Sequence, residues 1–297
     1  MLPRTLLALA TAGVLTGSGD AWLPRYDLSR AAEVHGLPRA LDEASGLAID
    51  PSGRLFTHHD ETSAVYELDP GTGRVVKRFH AARRGIRGDF EGLALAEGRF
   101  FLVSSDGILL EFREAGGDEV APAREVRTGL GGLCEVEGLA YHPATSSLLL
   151  PCKTPRRREL RERLVVFAVP LATLVPDPEP RVSLPLRDLE RLGLGRDFHP
   201  SAIDVHPSGN LFLVAAREEA IVELSPRGAP LSASRLPRRL HPQAEGLAFG
   251  PDSTLWIVDE GGGGRGRLSR HPPRPAADEA PADAPTRLGA RAGKGGP

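Results

Sequence analysis

The chain has 297 residues, 40% of them apolar, and a formal charge of −2. That length and apolar share allow one large domain with a real core. The near-neutral charge excludes a global pull toward nucleic acid or anionic membrane, and two cysteines exclude a disulfide-built scaffold while leaving room for one bridge. Residues 1–21 read as an export signal. Arg4 supplies the positive region, Leu6 to Leu15 is apolar but short for a bilayer span, and Gly19-Asp20-Ala21 offers a small-residue cleavage site. The alternative keeps residues 4–17 as an inner-membrane anchor. Both readings place the protein outside the cytoplasm, secreted, periplasmic or tethered.

Residues 22–271 carry one repeated motif. Its strongest copies are Phe90-Glu91-Gly92-Leu93-Ala94, Val136-Glu137-Gly138-Leu139-Ala140 and Ala244-Glu245-Gly246-Leu247-Ala248. Looser copies are Ala44-Ser45-Gly46-Leu47-Ala48 and Pro200-Ser201-Ala202-Ile203-Asp204. The steps between them are 46, 46, 64 and 44 residues. A period in the forties with β-type sequence marks a propeller blade. The first unit shows the plan: Gly46-Leu47-Ala48-Ile49, the turn Asp50-Pro51-Ser52-Gly53, then Leu55-Phe56-Thr57, Ala64 to Leu68, the turn Asp69 to Gly73, and Val75 to Phe79. That is a four-stranded meander. The long third step predicts a hairpin extended over Thr154 to Arg163 and a short helix within Leu186 to Gly195. Arg156-Arg157-Arg158 reads as an anion patch or, with Glu159 and Glu162 interleaved, as a solvated loop tip.

The fifth unit lacks one strand, and the segment from Arg25-Tyr26-Asp27-Leu28 onward precedes the first complete unit. The expectation is an all-β, five-bladed propeller of four-stranded blades, closed by an N-terminal outer strand in the last blade. From Pro272 to Pro297 the chain is Pro, Ala, Arg, Gly and Asp with almost no large apolar residue, the composition of a disordered tail.

First strands line a propeller's channel, so the repeat starts converge on one mouth. This gathers Glu91, Glu137 and Glu245, with Glu43, Asp89, Glu135, His199 and Gln243 two residues earlier in each unit. Clustered carboxylates need a counter-ion, and hard oxygens from several blades suit Ca²⁺. The competing reading is that these glutamates bond backbone N–H groups of adjacent blades and lock the ring. Second strands end nearby and bring Asp60, Asp106 and Asp259. Asp60, His58 or His199 could then act as base, His59 being a further possible shuttle; ordinary structural hydrogen bonding is the alternative for each histidine. Cys134 and Cys152 stand on hairpin partners, so they predict a disulfide, with two buried thiols as the alternative. The sequence holds no G-x-S-x-G elbow, phosphate loop or H-E-x-x-H.

Glu43-Ala-Ser-Gly-Leu-Ala, Asp89-Phe-Glu-Gly-Leu-Ala, Cys134-Glu-Val-Glu-Gly-Leu-Ala-Tyr with Leu148-Leu-Leu-Pro-Cys-Lys, and Ala244-Glu-Gly-Leu-Ala-Phe resemble the SdiA-regulated (YjiK-like) propeller family over roughly residues 25–270. The resemblance implies a five-bladed propeller with bound Ca²⁺ and an extracytoplasmic location, distantly similar to NHL-repeat and phytase-like propellers. Ser45 and Ser201 depart from the glutamate pattern, so any metal site must be lopsided. Two functions follow as expectations. One is a monomeric Ca²⁺-stabilised module binding a small ligand or envelope protein. The other is a Ca²⁺-dependent esterase, lactonase or phosphoesterase. Neither involves nucleic acid.

Overall fold

The computed structural model describes residues 20–82 and 88–275. Most of the expected export signal and of the expected disordered tail lies outside the described residues. Among those residues, no helix is long and apolar enough to cross a membrane.

Among the described residues, twenty-two short strands form five sheets, antiparallel except for one edge pairing. β1 (Glu33–Gly36) comes first and joins the last sheet. Blade one is β2 (Ala44–Ile49), β3 (Leu55–His59), β4 (Ala64–Leu68) and β5 (Val75–Ala81). Blade two is β6 (Phe90–Ala96), β7 (Arg99–Ser104), β8 (Ile108–Phe112) and, after the crossing strand β9 (Val120–Ala121), β10 (Ala123–Arg127). β9 pairs parallel with β5, covering the outer edge of blade one. Blade three splits its inner strand into β11 (Cys134–Val136) and β12 (Ala140–His142), followed by β13 (Ser147–Pro155), β14 (Arg163–Pro170) and β15 (Val182–Pro185). The short helix α1 (Leu186–Glu190) follows, as the spacing of Leu186, Leu189 and Leu192 predicts. Blade four is β16 (Ala202–Val205), β17 (Leu211–Ala215), β18 (Ala220–Leu224) and β19 (Pro230–Arg235). Blade five is β20 (Ala244–Phe249), β21 (Leu255–Asp259) and β22 (Arg267–His271), with β1 as its outer strand.

The ring closes as expected, through β1, a few residues past Leu28. Val34 pairs with Ser269 and His35 with Leu268, whereas Trp22 to Leu28 forms no strand. Leu23, Tyr26 and Leu28 instead pack between blades four and five. The inner strands contact one another in a closed circuit, β2 to β6, β12, β16, β20 and back to β2.

Five apolar clusters fill the five clefts between blades. Strand alternation builds them. Phe100 of β7 faces Phe56 and Phe79 of blade one, with ring centroids 5.0 and 5.4 Å away. Its neighbour Phe101 points the other way, into the cleft with blade three. Strands buried on both faces therefore read as nearly continuous apolar runs.

Glycine sets how closely the inner strands approach. A Cβ on Gly92 would lie 2.6 Å from the Leu139 nitrogen, and one on Gly246 would lie 2.7 Å from the Gly46 carbonyl carbon. Both obstacles are backbone of the next blade and cannot swing aside.

Candidate functional site

In four of the five blades the start of the inner strand is irregular, and that irregularity aims the side chains. Phe90 pairs with Ser104 and Gly92 with Val103, so Glu91 has no partner across the ladder. Glu245 is left out in the same way between Ala244 and Gly246. Such a bulge turns the extra residue off the sheet. In blade three the break between β11 and β12 does this for Glu137. Blade four has no bulge: the Ser201 hydroxyl donates to the Ala244 carbonyl at 2.7 Å, tying blade four to blade five. The inter-blade lock expected of the glutamates is thus made by a serine, and by the Gly138 N–H donating to the Glu91 carbonyl at 2.6 Å.

Glu91, Glu137 and Glu245 converge, and a cation stands among them. Lys153, at the end of β13, pairs with the buried Glu137 carboxylate and also feels Glu245 and Glu91. Burial, with Glu91 and Glu245 nearby, pushes Glu137 up to about 9. Burial and Asp89 push Glu91 up to about 8. Burial raises Glu245 to about 7 against the opposing pull of Lys153 and Gln243. Burial disfavours the Lys153 charge, but Glu137, Glu245 and Glu91 outweigh it and raise its pKa. Three carboxyls therefore share protons around one ammonium.

Glu137, Glu245 and Lys153 floor a cavity of about 350 Å³ at the channel mouth, with Glu91 outside its lining. His199, Ser201, Arg217, Arg238 and Gln243 complete the polar wall. His199 Nδ1 lies 2.8 Å from Glu218 Oε1, and Glu218 Oε2 accepts the His199 backbone N–H at 3.0 Å. The carboxylate thus fixes the ring and leaves Nε2 for the cavity.

Blades five and one make a different, acidic arc. Glu43, His59 and Asp60 offer ligand atoms within 4.8 Å of one another. His59 sits 3.0 Å from Asp60 and 3.5 Å from Glu43, and its hydrogen bond to Asp60 leads in raising its pKa. Glu260 is raised by burial and by the nearby Asp60 and Glu43.

The remaining expected residues scatter. Asp89 is exposed beside Glu91. Glu135 stands opposite Thr154 and near the cysteines. Asp106 is 67% exposed and turns out to Arg156, 3.4 Å away. Asp259 is fully buried against His241 at 3.1 Å, behind the mouth. His58 is fully buried, its Nε2 sealed beside Gly46, and burial lowers its pKa to about 4. It is a neutral packing residue with no line to the cavity. The expected disulfide is also corrected. Cys134 and Cys152 are free, buried thiols. The ladder slips between Glu135 and Val136, so Cys152 faces Val136 and Cys134 faces Pro155. The thiols touch, and the Cys134 contact followed by burial holds Cys152 far above the ordinary thiol range.

Sequence reasoning missed Lys153, Arg217, Glu219 and Arg238 as cavity residues, and Glu218 as the partner of His199. One signal was available. Lys153 is the basic residue at the position that Asp60 and Glu260 occupy in blades one and five, just past the first inner-strand pair.

No family model matches the chain. It is similar in fold to a Myxococcus xanthus glutaminyl cyclase, at TM-score 0.58 and 14% identity, covering 82% of this chain and 94% of that one. It is likewise similar to a luciferin-regenerating enzyme, at TM-score 0.51 and 13% identity, covering 81% of this chain and 95% of that one. Such solved relatives are β-propellers, and at these identities the likeness is one of fold.

Proposed function

We propose that the chain is an extracytoplasmic, calcium-binding propeller of the SdiA-regulated type that holds a small polar ligand at its channel mouth. The observation that carries this reading is the mouth itself. A cavity of about 350 Å³ is floored by Glu137, Glu245 and Lys153, and walled by arginines and a carboxylate-oriented histidine. Convergent polar groups in a concavity are how ligand sites are built.

The donor set favours the outer arc as the place for Ca²⁺. The inner glutamates already have Lys153 as counter-charge and are pushed toward protonation, which suits a cation poorly. The outer arc of Glu43, Asp60 and Glu260 offers oxygens from two blades, with mutual repulsion that an ion would relieve. Bound there, Ca²⁺ would supply a fixed positive charge for a ligand oxygen. Chain residues do the rest: Arg217, Arg238 and Lys153 orient an anionic group, and Gln243 and Ser201 hydrogen-bond its polar neighbours. At a hundredfold excess over Kd, Ca²⁺ should raise Tm by about 5–10 °C, reversibly with EDTA. An unchanged Tm in both would sink the calcium reading.

A second reading, a hydrolase of esters, lactones or phosphoesters, is favoured by the His199–Glu218 pair. A histidine fixed through Nδ1 by a carboxylate presents Nε2 as a general base. A substrate panel with His199→Ala as control separates the readings. Turnover lost by about 100-fold in the variant supports catalysis, and absence of turnover in the unaltered protein leaves a binding module.

A further inference from the structure

A buried carboxylate on the outside of the ring has an unusual set of donors. Glu223, in β18, is fully buried. It accepts from Asn210 Nδ2 at 2.6 Å, Ser232 Oγ at 2.7 Å and the Leu23 backbone N–H at 2.8 Å. The Trp22 backbone nitrogen lies 2.8 Å from one carboxylate oxygen and 3.0 Å from the other. A peptide nitrogen carries one hydrogen and must split it between the two. An α-ammonium carries three and gives each oxygen its own.

Charge points the same way. A buried carboxylate is costly unless it is well bonded and paired, and these four donors are all neutral. The other charged or titratable groups around Trp22 have roles elsewhere. Arg25 stacks its guanidinium on the Trp22 ring at 4.0 Å and donates to the Arg274 carbonyl at 2.9 Å. His206, 4.4 Å from that ring, is held neutral by burial and then by Arg25, which lower its pKa to about 4. Tyr26 is raised by burial and by Glu223 itself, so it stays neutral. Asp20, just upstream, is exposed.

The nitrogen that Glu223 grips is also the one that follows Gly19-Asp20-Ala21 in the sequence. Those residues satisfy the small-residue rule of an export-signal cleavage site, behind a basic and apolar leader. We propose that the chain is processed between Ala21 and Trp22, and that Glu223 is the receptor for the Trp22 α-ammonium this creates. A signal-peptidase-class endoprotease adds water across the Ala21–Trp22 bond. The C–N bond breaks, the water oxygen joins the Ala21 carbonyl carbon as a carboxylate, and the Trp22 nitrogen takes both water protons to become an ammonium. Leu23, Tyr26 and Leu28 hold the new end between blades four and five.

Two measurements test this. The first is the intact mass of protein exported by a bacterial host from the full 297-residue chain. A mass beginning at Trp22 supports the proposal; a retained leader or any other start overturns it. The second compares the chain beginning at Trp22 with the same chain N-α-acetylated, which restores a peptide-like nitrogen. An amine paired with a carboxylate has a raised folded pKa. Its stabilisation is full below the free value of about 8 and is lost as pH rises through the folded value. The free-amine protein should melt several degrees higher at pH 6.5, with the gap closing at higher pH. Glu223→Gln should remove the gap. Equal melting of the free and acetylated forms at pH 6.5 overturns the pairing even if Glu223→Gln fails to fold.

Discussion

At one end of the channel the inner strands begin with Glu91, Glu137 and Glu245 around Lys153, and Glu137, Glu245 and Lys153 face a polar cavity. Toward the other end the same strands present Ile49, Leu95, Tyr141, Val205 and Phe249 around a pocket of about 150 Å³ whose side chains are mostly apolar and whose remaining wall is backbone. One carboxylate interrupts that apolar end. Asp204 accepts the Phe249 N–H at 2.8 Å, and burial raises its pKa to about 7. The difference between the ends comes from one structural device. Bulges at the strand starts free Glu91 and Glu245 from the ladder and aim them at the axis, while past the bulge the pairing is regular and the side chains pack blade against blade. Chemistry and packing are separated along a single strand by two or three residues.

The hinge between the two ends is the glycine after each bulge, and breaking it should have the largest effect. Gly92→Ala forces a Cβ to 2.6 Å from the Leu139 nitrogen and should destabilise by about 3 kcal/mol or more, read by urea unfolding. Gly98→Ala, at φ +72° with open space around it, should cost only about 1 kcal/mol. Equal costs would mean that inner-strand crowding does not set the ring.

Lysine at the polar end gives the next effect. Lys153→Met removes the ammonium from three carboxyls and should cost about 2 kcal/mol at pH 8, a value discounted from that of a fully buried pair because Lys153 is 36% exposed. At pH 5 the carboxyls hold their protons and the cost should be small. A pH-independent loss in chemical denaturation would show that Lys153 acts by packing alone.

A third test uses the same cluster without touching lysine. Carboxyls with raised folded pKa bind protons more tightly folded than unfolded. Their contribution is full below the unfolded value of about 4.5 and is lost as pH rises through about 7 to 9. Tm of the unaltered protein should fall across that window, and the triple variant Glu91→Gln, Glu137→Gln, Glu245→Gln should flatten the profile.

Asp204→Asn at the apolar end should have the smallest effect. The amide oxygen can still accept the Phe249 N–H, so stability at pH 5 should hardly change. Above pH 7 the variant avoids ionising a buried acid and should gain under about 1 kcal/mol, with ligand and Ca²⁺ binding unaltered. A binding defect in this variant would erase the functional distinction between the ends.

The propeller was legible because its cause is repetition: five starts in step, with Gly and Ala where strands crowd. Convergence of Glu91, Glu137 and Glu245 followed from that geometry. What the repeat could not supply lay off it. Lys153 breaks the acidic pattern at the second-strand ends, so a search for repeated residues passes over it. Glu218 and Arg238 sit in loops whose reach depends on how blades four and five lean together. The cysteine pairing depended on a one-residue slip between Glu135 and Val136, which no spacing argument contains. His58 looked like a neighbour of Asp60 and is one along the chain, but strand alternation turns it inward while His59 faces the mouth.

On the proposed reading, binding belongs to the bulged, polar end and Ca²⁺ to its acidic arc. Calorimetric titration of Ca²⁺ into the unaltered protein and into Glu43→Gln/Asp60→Asn and Asp204→Asn variants tests it most directly. The account predicts one ion per chain, lost in the first variant and kept in the second. No binding heat in the unaltered protein, or heat that survives Glu43→Gln/Asp60→Asn, would contradict it.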